Sequence, residues 1–183
     1  MLIQEMTRQQ SIDLLAHTRF GRLGCARENQ PYVVPFYFGY DANYLYTFST
    51  VGQKIEWMRA NPLVCVEIDE VENAEQWVSV VILGRYEELP DSPEWRSTRE
   101  LAYELLRRKP NWWEPGYAKT ILHGAPRPLV PCYYRIRIVQ ITGHRATPES
   151  VKSSETTRLI AGSTNYHGWF QRLLRQVIDK RDR

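Results

Sequence analysis

Short apolar runs, some alternating and some continuous, divide the first 145 residues into segments typical of β-strands. Clusters of Gly, Pro, Asn and Asp separate several of these runs, which predicts antiparallel hairpins between neighbouring strands. The six predicted strands are Phe20–Ala26, Tyr32–Phe38, Tyr44–Phe48, Leu63–Ile68, Gln76–Leu89 and Cys132–Thr142. The pattern therefore predicts a mainly β protein built on a small closed or partly closed barrel.

Helical periodicity interrupts the strand pattern near the N-terminus and after the third strand. The segment Thr7–His17 carries an amphipathic repeat, with its first threonine as the predicted cap. A second helix begins after Gly52, turns Ile55 and Met58 to one face, and ends at Asn61–Pro62 because proline cannot continue it. Both helices are predicted to flank the sheet.

The residues between the fifth and sixth strands are less regular. The segment from Pro93 to Arg108 is predicted to be helical. Its apolar face consists of Trp95, Leu101 and Leu105. Residues 109–131 are rich in Pro, Gly and Trp and predict a long connection, with one short helix at Tyr117–Leu122.

Pro35 lies inside the second predicted strand. Proline has no backbone N–H and cannot donate a hydrogen bond to a neighbouring strand. The residue therefore predicts an edge strand, a bulge, or an opening where backbone groups face a ligand. The sequence alone leaves these alternatives open.

A strand, two hydroxyl residues, a glycine and a basic helix follow one another in the middle of the chain. Ser49 and Thr50 can supply hydroxyl donors and a helix N-cap, and Gly52 allows a sharp turn. Free N–H groups at the helix start, together with the ammonium of Lys54, predict a site for an anion such as phosphate. The same pattern occurs in proteins that bind no anion, so a purely structural role stays open.

Composition argues against several classes of function. The net charge is only +3 and the basic residues are dispersed, which argues against nucleic-acid binding. The three cysteines Cys25, Cys65 and Cys132 form no CxxC pair, which argues against a disulfide framework and a zinc site. Neither a signal peptide nor an apolar run of membrane-spanning length is recognisable, so we expect a cytoplasmic protein with no membrane partner.

Five segments in a fixed order resemble the pyridoxamine 5′-phosphate oxidase-like, FMN-binding split-barrel family. They are Phe20–Gly24, Pro31–Phe36, Leu45–Lys54, Asn61–Val66 and Val78–Arg85. Within the family, the chain is most similar to the group of nitroimidazole-resistance (Nim-type) reductases. The resemblance implies a six-stranded antiparallel split β-barrel at residues 1–145. It leaves residues 146–183 as a C-terminal tail, where Trp169, Leu173 and Val177 predict a terminal helix.

The resemblance also implies a homodimer with FMN bound at the dimer interface. The residues implied in cofactor binding are Val34, Pro35, Phe36, Phe48, Ser49, Thr50, Gln53, Lys54, Trp77 and Ser79. Among them, the backbone of Val34, Pro35 and Phe36 would face the edge of the isoalloxazine ring. The phosphate would be held by Ser49, Thr50 and Lys54, with Gln53 close by.

Two further positions are implied near the flavin ring, and one departs from the family pattern. Ser79 would place a polar side chain against the ring, and Trp77 would flank the same pocket. Many Nim-type relatives carry a histidine where this chain has Phe48. Phenylalanine cannot transfer a proton, so an activity that depends on that histidine is not carried over. Gln53, in place of a second cation, also weakens the predicted phosphate site.

The implied activity is that of an FMN-dependent oxidoreductase that reduces or oxidises a small organic substrate through flavin N5. Its partner would be reduced nicotinamide or another electron donor. The catalytic residues stay unknown, with His123 as the substrate-side candidate. Alternatives are a deazaflavin or haem in the same barrel, or a non-catalytic flavin-binding or sensor module. A haem would need an axial ligand, and no histidine lies convincingly on a predicted barrel strand.

Overall fold

The computed structural model describes residues 1–108, 121–122, 125–126 and 130–149. Residues Met1–Glu149 belong to one compact unit. The predicted terminal helix in the tail, most of the connection at 109–131, and His123 lie outside the described residues. Of the short helix predicted at Tyr117–Leu122, only the last two residues are described, and they are in a strand instead.

The described residues contain ten strands and three α-helices. The strands are β1 (Leu2–Glu5), β2 (Phe20–Arg27), β3 (Gln30–Tyr37), β4 (Gly39–Asp41), β5 (Tyr44–Thr50), β6 (Leu63–Asn73), β7 (Gln76–Glu88), β8 (Ile121–Leu122), β9 (Ala125–Pro126) and β10 (Pro131–Thr147). The helices are α1 (Arg8–His17), α2 (Gln53–Ala60) and α3 (Arg96–Leu106), the last preceded by a 3-10 turn at Pro93–Trp95. The six predicted strands correspond to β2, β3, β5, β6, β7 and β10.

The main sheet is an antiparallel split β-barrel, as predicted, with two strands more than expected. Its order is β3-β2-β6-β7-β10-β5-β4, and β1 pairs with β10 beyond this path. The added strand β4 lies at Gly39–Asp41, between the second and third predicted strands. The other, β1, pairs Glu5 with His144 and Leu2 with Thr147. Since its partner lies more than 130 residues away, local pattern did not reveal it.

Strand β10 is longer than predicted, and the alternation of inward and outward side chains shifts by one residue part-way along it. The predicted end at Gly143 is wrong, because the strand continues to Thr147. A register shift leaves Val139 unpaired between Ile138 and Gln140. Ile138 is buried, whereas Gln140, which strict alternation would place on the same face, is exposed because of this shift. Gly84 pairs with Ile138 at this irregularity.

The inward faces of the strands form one core inside the barrel, and α1 and α2 pack on it. Its most enclosed side chains include Leu23, Leu45, Val66, Ile82, Tyr134 and Ile136. The predicted cap of α1 is confirmed: the side-chain oxygen of Thr7 accepts a hydrogen bond from the backbone N–H of Gln10, and the side-chain oxygen of Gln10 accepts one from the backbone N–H of Thr7. On α2, Ile55 and Met58 are fully buried, as the repeat predicted.

A second, smaller core lies between α3 and the strands β5 and β10. It contains Tyr46, Leu89, Ala102 and Leu105, with Trp95 packed against it. The prediction that Leu101 shares this face is wrong, since its side chain is exposed. Ala102, the next residue on α3, is fully buried in this core.

Candidate functional site

The turn between β5 and α2 differs from the predicted one in its capping. Gly52 is the N-cap of α2, with extended backbone, and it provides no side-chain hydrogen bond. The prediction of a Ser or Thr cap is therefore wrong. Ser49 faces the barrel interior and is only 5% exposed, and its hydroxyl donates a 3.4 Å hydrogen bond to the carbonyl of Thr50. Side chains alternate along a strand, so Thr50 lies on the opposite face and is half-buried.

Lys54 lies in the first turn of α2 and is half-buried. Burial lowers the pKa of its ammonium, while the nearby thiols of Cys132 and Cys25 act in the opposite direction. Both thiols are buried, and burial raises the pKa of each, to about 11 for Cys132. At neutral pH they are uncharged, and among the described residues no carboxylate forms an ion pair with Lys54. The site therefore holds a half-buried positive charge that an anion would neutralise.

The neighbours of Lys54 were missing from the sequence-predicted site. Cys25 lies on β2 and Cys132 on β10, more than a hundred residues apart, and each is 4% exposed. Strand alternation explains why both side chains point into the barrel. Only the folded barrel, however, brings the two strands together next to Lys54 on α2. Ser49 on β5 is the cross-strand partner of Cys132. Its hydroxyl therefore also faces the barrel interior beside this thiol.

An ion pair fixes the other end of α2 to the sheet. Two guanidinium nitrogens of Arg59, Nη2 and Nε, donate to the carboxylate of Glu88 on β7, at 2.7 and 2.8 Å. The hydroxyl of Tyr86 donates to the same carboxylate at 2.9 Å and lies 3.9 Å from the sulfur of Cys132. These contacts hold α2, the helix that carries Lys54, against strands β7 and β10. No local signal in the sequence predicts it, because Arg59 and Glu88 are 29 residues apart.

Two more predicted residues lie near this helix start. Gln53 is exposed in the first turn of α2. Phe48 is half-buried, and its ring centre lies 4.9 Å from that of Tyr133, its cross-strand partner on β10. The predicted phosphate residues and Phe48 therefore lie close together at one end of the barrel.

The predicted ring-contacting strand β3 is an edge strand. Within the described residues it pairs only with β2, which is the first of the three alternatives that Pro35 left open. Pro35 itself is exposed, with its side chain on the outer face, whereas Phe36 is buried and stacks on Phe38 at 5.5 Å. Val34 is half-buried. The backbone of these residues lies at an open sheet edge, where its groups are accessible to a ligand.

Trp77 and Ser79 lie far from Lys54 in the same chain. Ser79 is opposite His144 on β10, whereas Ser49 is opposite Cys132, and these two β10 positions are separated by about 40 Å of strand. The hydroxyl of Ser79 donates to Glu67 at 3.3 Å. Trp77 lines a separate groove of about 370 Å³ beside the β6–β7 hairpin. One chain thus does not bring all ten predicted residues together.

Other chemistry is sparse in the described part of the chain. It contains no group of three or more His, Cys, Asp and Glu side chains placed to hold a metal ion. His17 lies 3.4 Å from Glu70 on the surface, and His144 is exposed. No helix in the described ranges is both long enough and apolar enough to cross a membrane.

Comparison with known proteins identifies the family. The sequence model of the pyridoxamine 5′-phosphate oxidase family matches residues 7–145, which include the complete sheet from β2 to β7 and most of β10. The chain belongs to this family. The resemblance found in the sequence is thereby confirmed.

Individual relatives extend over the same region. The protein RA0666 of Rhizobium meliloti (strain 1021) is 39% identical over 146 residues, which are 80% of this chain and 97% of the relative. A FAD-binding protein of Mesorhizobium loti is 41% identical in sequence, and its crystal structure superposes with a TM-score of 0.67 over 80% of this chain and 100% of that one.

A more distant structure shares the fold alone. It is a candidate 5-nitroimidazole antibiotic resistance protein from Bacteroides thetaiotaomicron VPI-5482, with 22% identity and a TM-score of 0.55. The match covers 79% of this chain and 89% of that one.

Proposed function

We propose that this protein binds a flavin nucleotide, with the phosphate of the FMN moiety at Lys54, and acts as an oxidoreductase of a small organic substrate. The observation that carries the proposal is the half-buried ammonium of Lys54, which has no carboxylate partner among the described residues. A ligand phosphate would supply the missing negative charge and form a strong charge-assisted hydrogen bond. The FAD-binding relative of Mesorhizobium loti supports a flavin as the ligand.

The surrounding residues suit the FMN moiety, which FMN and FAD share. Thr50 presents a hydroxyl at the end of β5, and Gln53 presents an amide in the first turn of α2. The free edge of β3 at Val34–Phe36 offers backbone groups to the polar edge of a ring. The flavin would supply hydride or electron transfer at N5. Phe48 provides no proton, so in this proposal the chain's part is to bind and orient the flavin, with reduced nicotinamide or another donor as the electron source.

A homodimer is part of the proposal, with each site formed at the interface. Trp77 and Ser79 are too far from Lys54 to reach a ligand of their own chain's site, so a second chain would have to supply them. The outer face of the sheet exposes Val33, Leu63 and Leu83 by 63, 61 and 48%. Val33, Gly24, Cys65 and Leu83 are successive cross-strand partners on β3, β2, β6 and β7. The exposed apolar side chains therefore lie on one face of the sheet and form one apolar surface. Apolar surfaces of this kind mark interfaces.

The proposal is tested by the ultraviolet–visible spectrum of the purified protein before and after addition of flavin. We expect the bands of oxidised flavin to persist through gel filtration, and the released cofactor to be identified by mass. A protein that is colourless and retains neither FMN nor FAD would contradict the flavin proposal. A Soret band would indicate haem in its place.

A further inference from the structure

The groove beside the β6–β7 hairpin has a volume of about 370 Å³, which lies within the range of small-molecule sites. Both strands of the hairpin and the end of β10 form its walls. We call it the hairpin groove. Its charged lining residues are Glu70, Glu72 and Arg145, and its apolar ones include Val71, Trp77 and Val78. The arrangement of these side chains decides which ligand the groove can bind.

The acidic and the basic side chains of the hairpin groove come from different strands. Glu70 on β6 is the cross-strand partner of Val78 on β7, and Val78 is the partner of Arg145 on β10. Cross-strand partners lie on the same face of a sheet, so Val78 lies between the carboxylate and the guanidinium. Adjacent strands are about 4.8 Å apart, which places the Cα atoms of Glu70 and Arg145 roughly 10 Å apart. A small ligand can therefore contact both charges at once.

The opposite charges of the groove do not neutralise each other. Arg145 is exposed, and its guanidinium forms no ion pair or hydrogen bond with any described residue. Glu72 is exposed as well and has no ion-pair partner within the described ranges. Glu70 lies 3.4 Å from Nε2 of His17, which attracts the carboxylate only when the imidazole is protonated. The groove thus offers a cation and carboxylates that a ligand of matching charges would neutralise.

An apolar surface adjoins these charges. Val71, Trp77 and Ala146 are successive cross-strand partners on β6, β7 and β10, and all three line the groove. Val71 is 64% exposed, and Trp77 is half-buried. Covering this surface with the carbon atoms of a ligand would stabilise the complex, because apolar area would be removed from water. The groove therefore suits a ligand whose charged groups are separated by a short carbon chain.

We infer that the hairpin groove binds a small zwitterion, a molecule with an ammonium group and a carboxylate at the two ends of a short carbon chain. The carboxylate would form a bidentate contact with Arg145, and the ammonium would lie against Glu70 and Glu72. A plain anion would be repelled by the two carboxylates and a plain cation by the guanidinium, so the groove discriminates against both. The inference does not depend on flavin binding at Lys54.

The test is a ligand-observed NMR titration of the full-length protein at low ionic strength and neutral pH. The probes are 5-aminopentanoate, which carries both charges, and the singly charged pentylamine and pentanoate, which have the same chain length. We expect 5-aminopentanoate to bind at least about tenfold more tightly than either of the others, because each charge-assisted contact contributes that much or more. Arg145→Met should lower its affinity to about that of pentylamine. The double substitution Glu70→Gln and Glu72→Gln should lower it to about that of pentanoate.

Arg85→Met is the matched control, since Arg85 is an exposed arginine of β7 that does not line the groove and forms no ion pair with the described residues. It should bind all three probes as the parent does. A parent that binds the three probes equally well, or binds none of them, would overturn the inference. An Arg145→Met protein that keeps the preference for 5-aminopentanoate, or an Arg85→Met protein that loses it, would do the same. The substituted side chains are all exposed, and the comparison of the three probes on the parent requires no variant to fold.

Discussion

Lys54 is the residue on which the functional interpretation depends. A half-buried ammonium loses part of its hydration, which costs free energy. Among the described residues, no carboxylate forms an ion pair with Lys54 that would offset this cost. Its neighbours Cys25 and Cys132 are uncharged at neutral pH because burial raises the pKa of both thiols. The unliganded protein thus carries an electrostatic cost that a bound phosphate would offset. Such a cost is typical of binding sites, where stability and function are in conflict.

Lys54→Met should therefore stabilise the unliganded protein or leave its stability unchanged, while flavin affinity falls. The pH dependence gives the sharper test. Burial lowers the pKa of Lys54 below its ordinary 10.5, so as pH rises towards that value the unfolded chain binds more protons and the stability of the folded parent increases. Lys54→Met lacks this contribution.

The measurement is urea unfolding of both flavin-free proteins between about pH 7 and 10, with the difference in unfolding free energy as the readout. Other titrating groups are common to both proteins and cancel. A difference that does not change with pH would show that Lys54 is solvated and has an ordinary pKa. A large loss of stability in the variant would show that the lysine has a structural role.

Strand β10 spans the main sheet from the pairing with Ser49 to the pairing with Ser79, and its packing against β7 depends on Gly84. A Cβ atom at Gly84 would overlap Ile136 Cγ2 and lie 3.0 Å from the carbonyl oxygen of Arg137. Ile136 is fully buried, so it cannot move aside. Gly84→Ala should lower the unfolding free energy by about 1–3 kcal/mol, the usual cost of overpacking.

Gly24→Ala is the matched control for this strand substitution. A Cβ at Gly24 has its closest contact at 3.6 Å, an ordinary van der Waals distance. Urea unfolding of both variants at one protein concentration provides the comparison. An equal effect of the two substitutions would contradict the close β7–β10 packing seen at Gly84.

The sequence predicted those elements whose signals are local. The cap of α1 requires only Thr7 and Gln10, three residues apart, and the end of α2 requires only Asn61–Pro62. Pro35 limited β3 to an edge strand, a bulge or an opening, and the structure shows the edge strand. These features depend on a few neighbouring residues, so they can be recognised without knowledge of the fold.

The features that were missed depend on distant partners or on small changes of register. Strand β1 exists because it pairs with the end of β10. The bulge after Ile138 reverses the facing of Gln140, and one extra residue in an alternating run carries no clear sequence signal. In the candidate site, the sequence identified the two hydroxyl residues but not their roles. Ser49 faces the barrel interior because side chains alternate along β5, and Gly52 is the N-cap of α2. The ion pair of Arg59 with Glu88 required the three-dimensional fold.

The arrangement of the complete sheet bears on how the molecule assembles. Residues predicted to contact one flavin lie at both ends of β10, and an apolar surface with Val33, Leu63 and Leu83 covers the outer face between them. We expect Leu83→Glu to shift the protein towards monomers and to weaken flavin binding, because a charge would have to be buried at the interface.

Sedimentation velocity combined with flavin absorbance measures both effects of Leu83→Glu in one experiment. Leu101→Glu is the control, since this side chain is exposed on α3, away from the outer face. A Leu83→Glu protein that remains dimeric with full flavin content would contradict an interface on this surface. A parent that is monomeric and yet fully loaded with flavin would contradict a shared site.

The most direct measurement is a comparison of FMN with riboflavin, which has the same ring and no phosphate, by fluorescence titration of the parent and of Lys54→Met. One charge-assisted contact contributes about 1.5–3 kcal/mol, so the parent should bind FMN about tenfold to a hundredfold more tightly than riboflavin. In Lys54→Met most of this difference should disappear, with riboflavin affinity unchanged. A parent that binds the two equally well, or a variant that keeps the full difference, would show that Lys54 does not hold the phosphate.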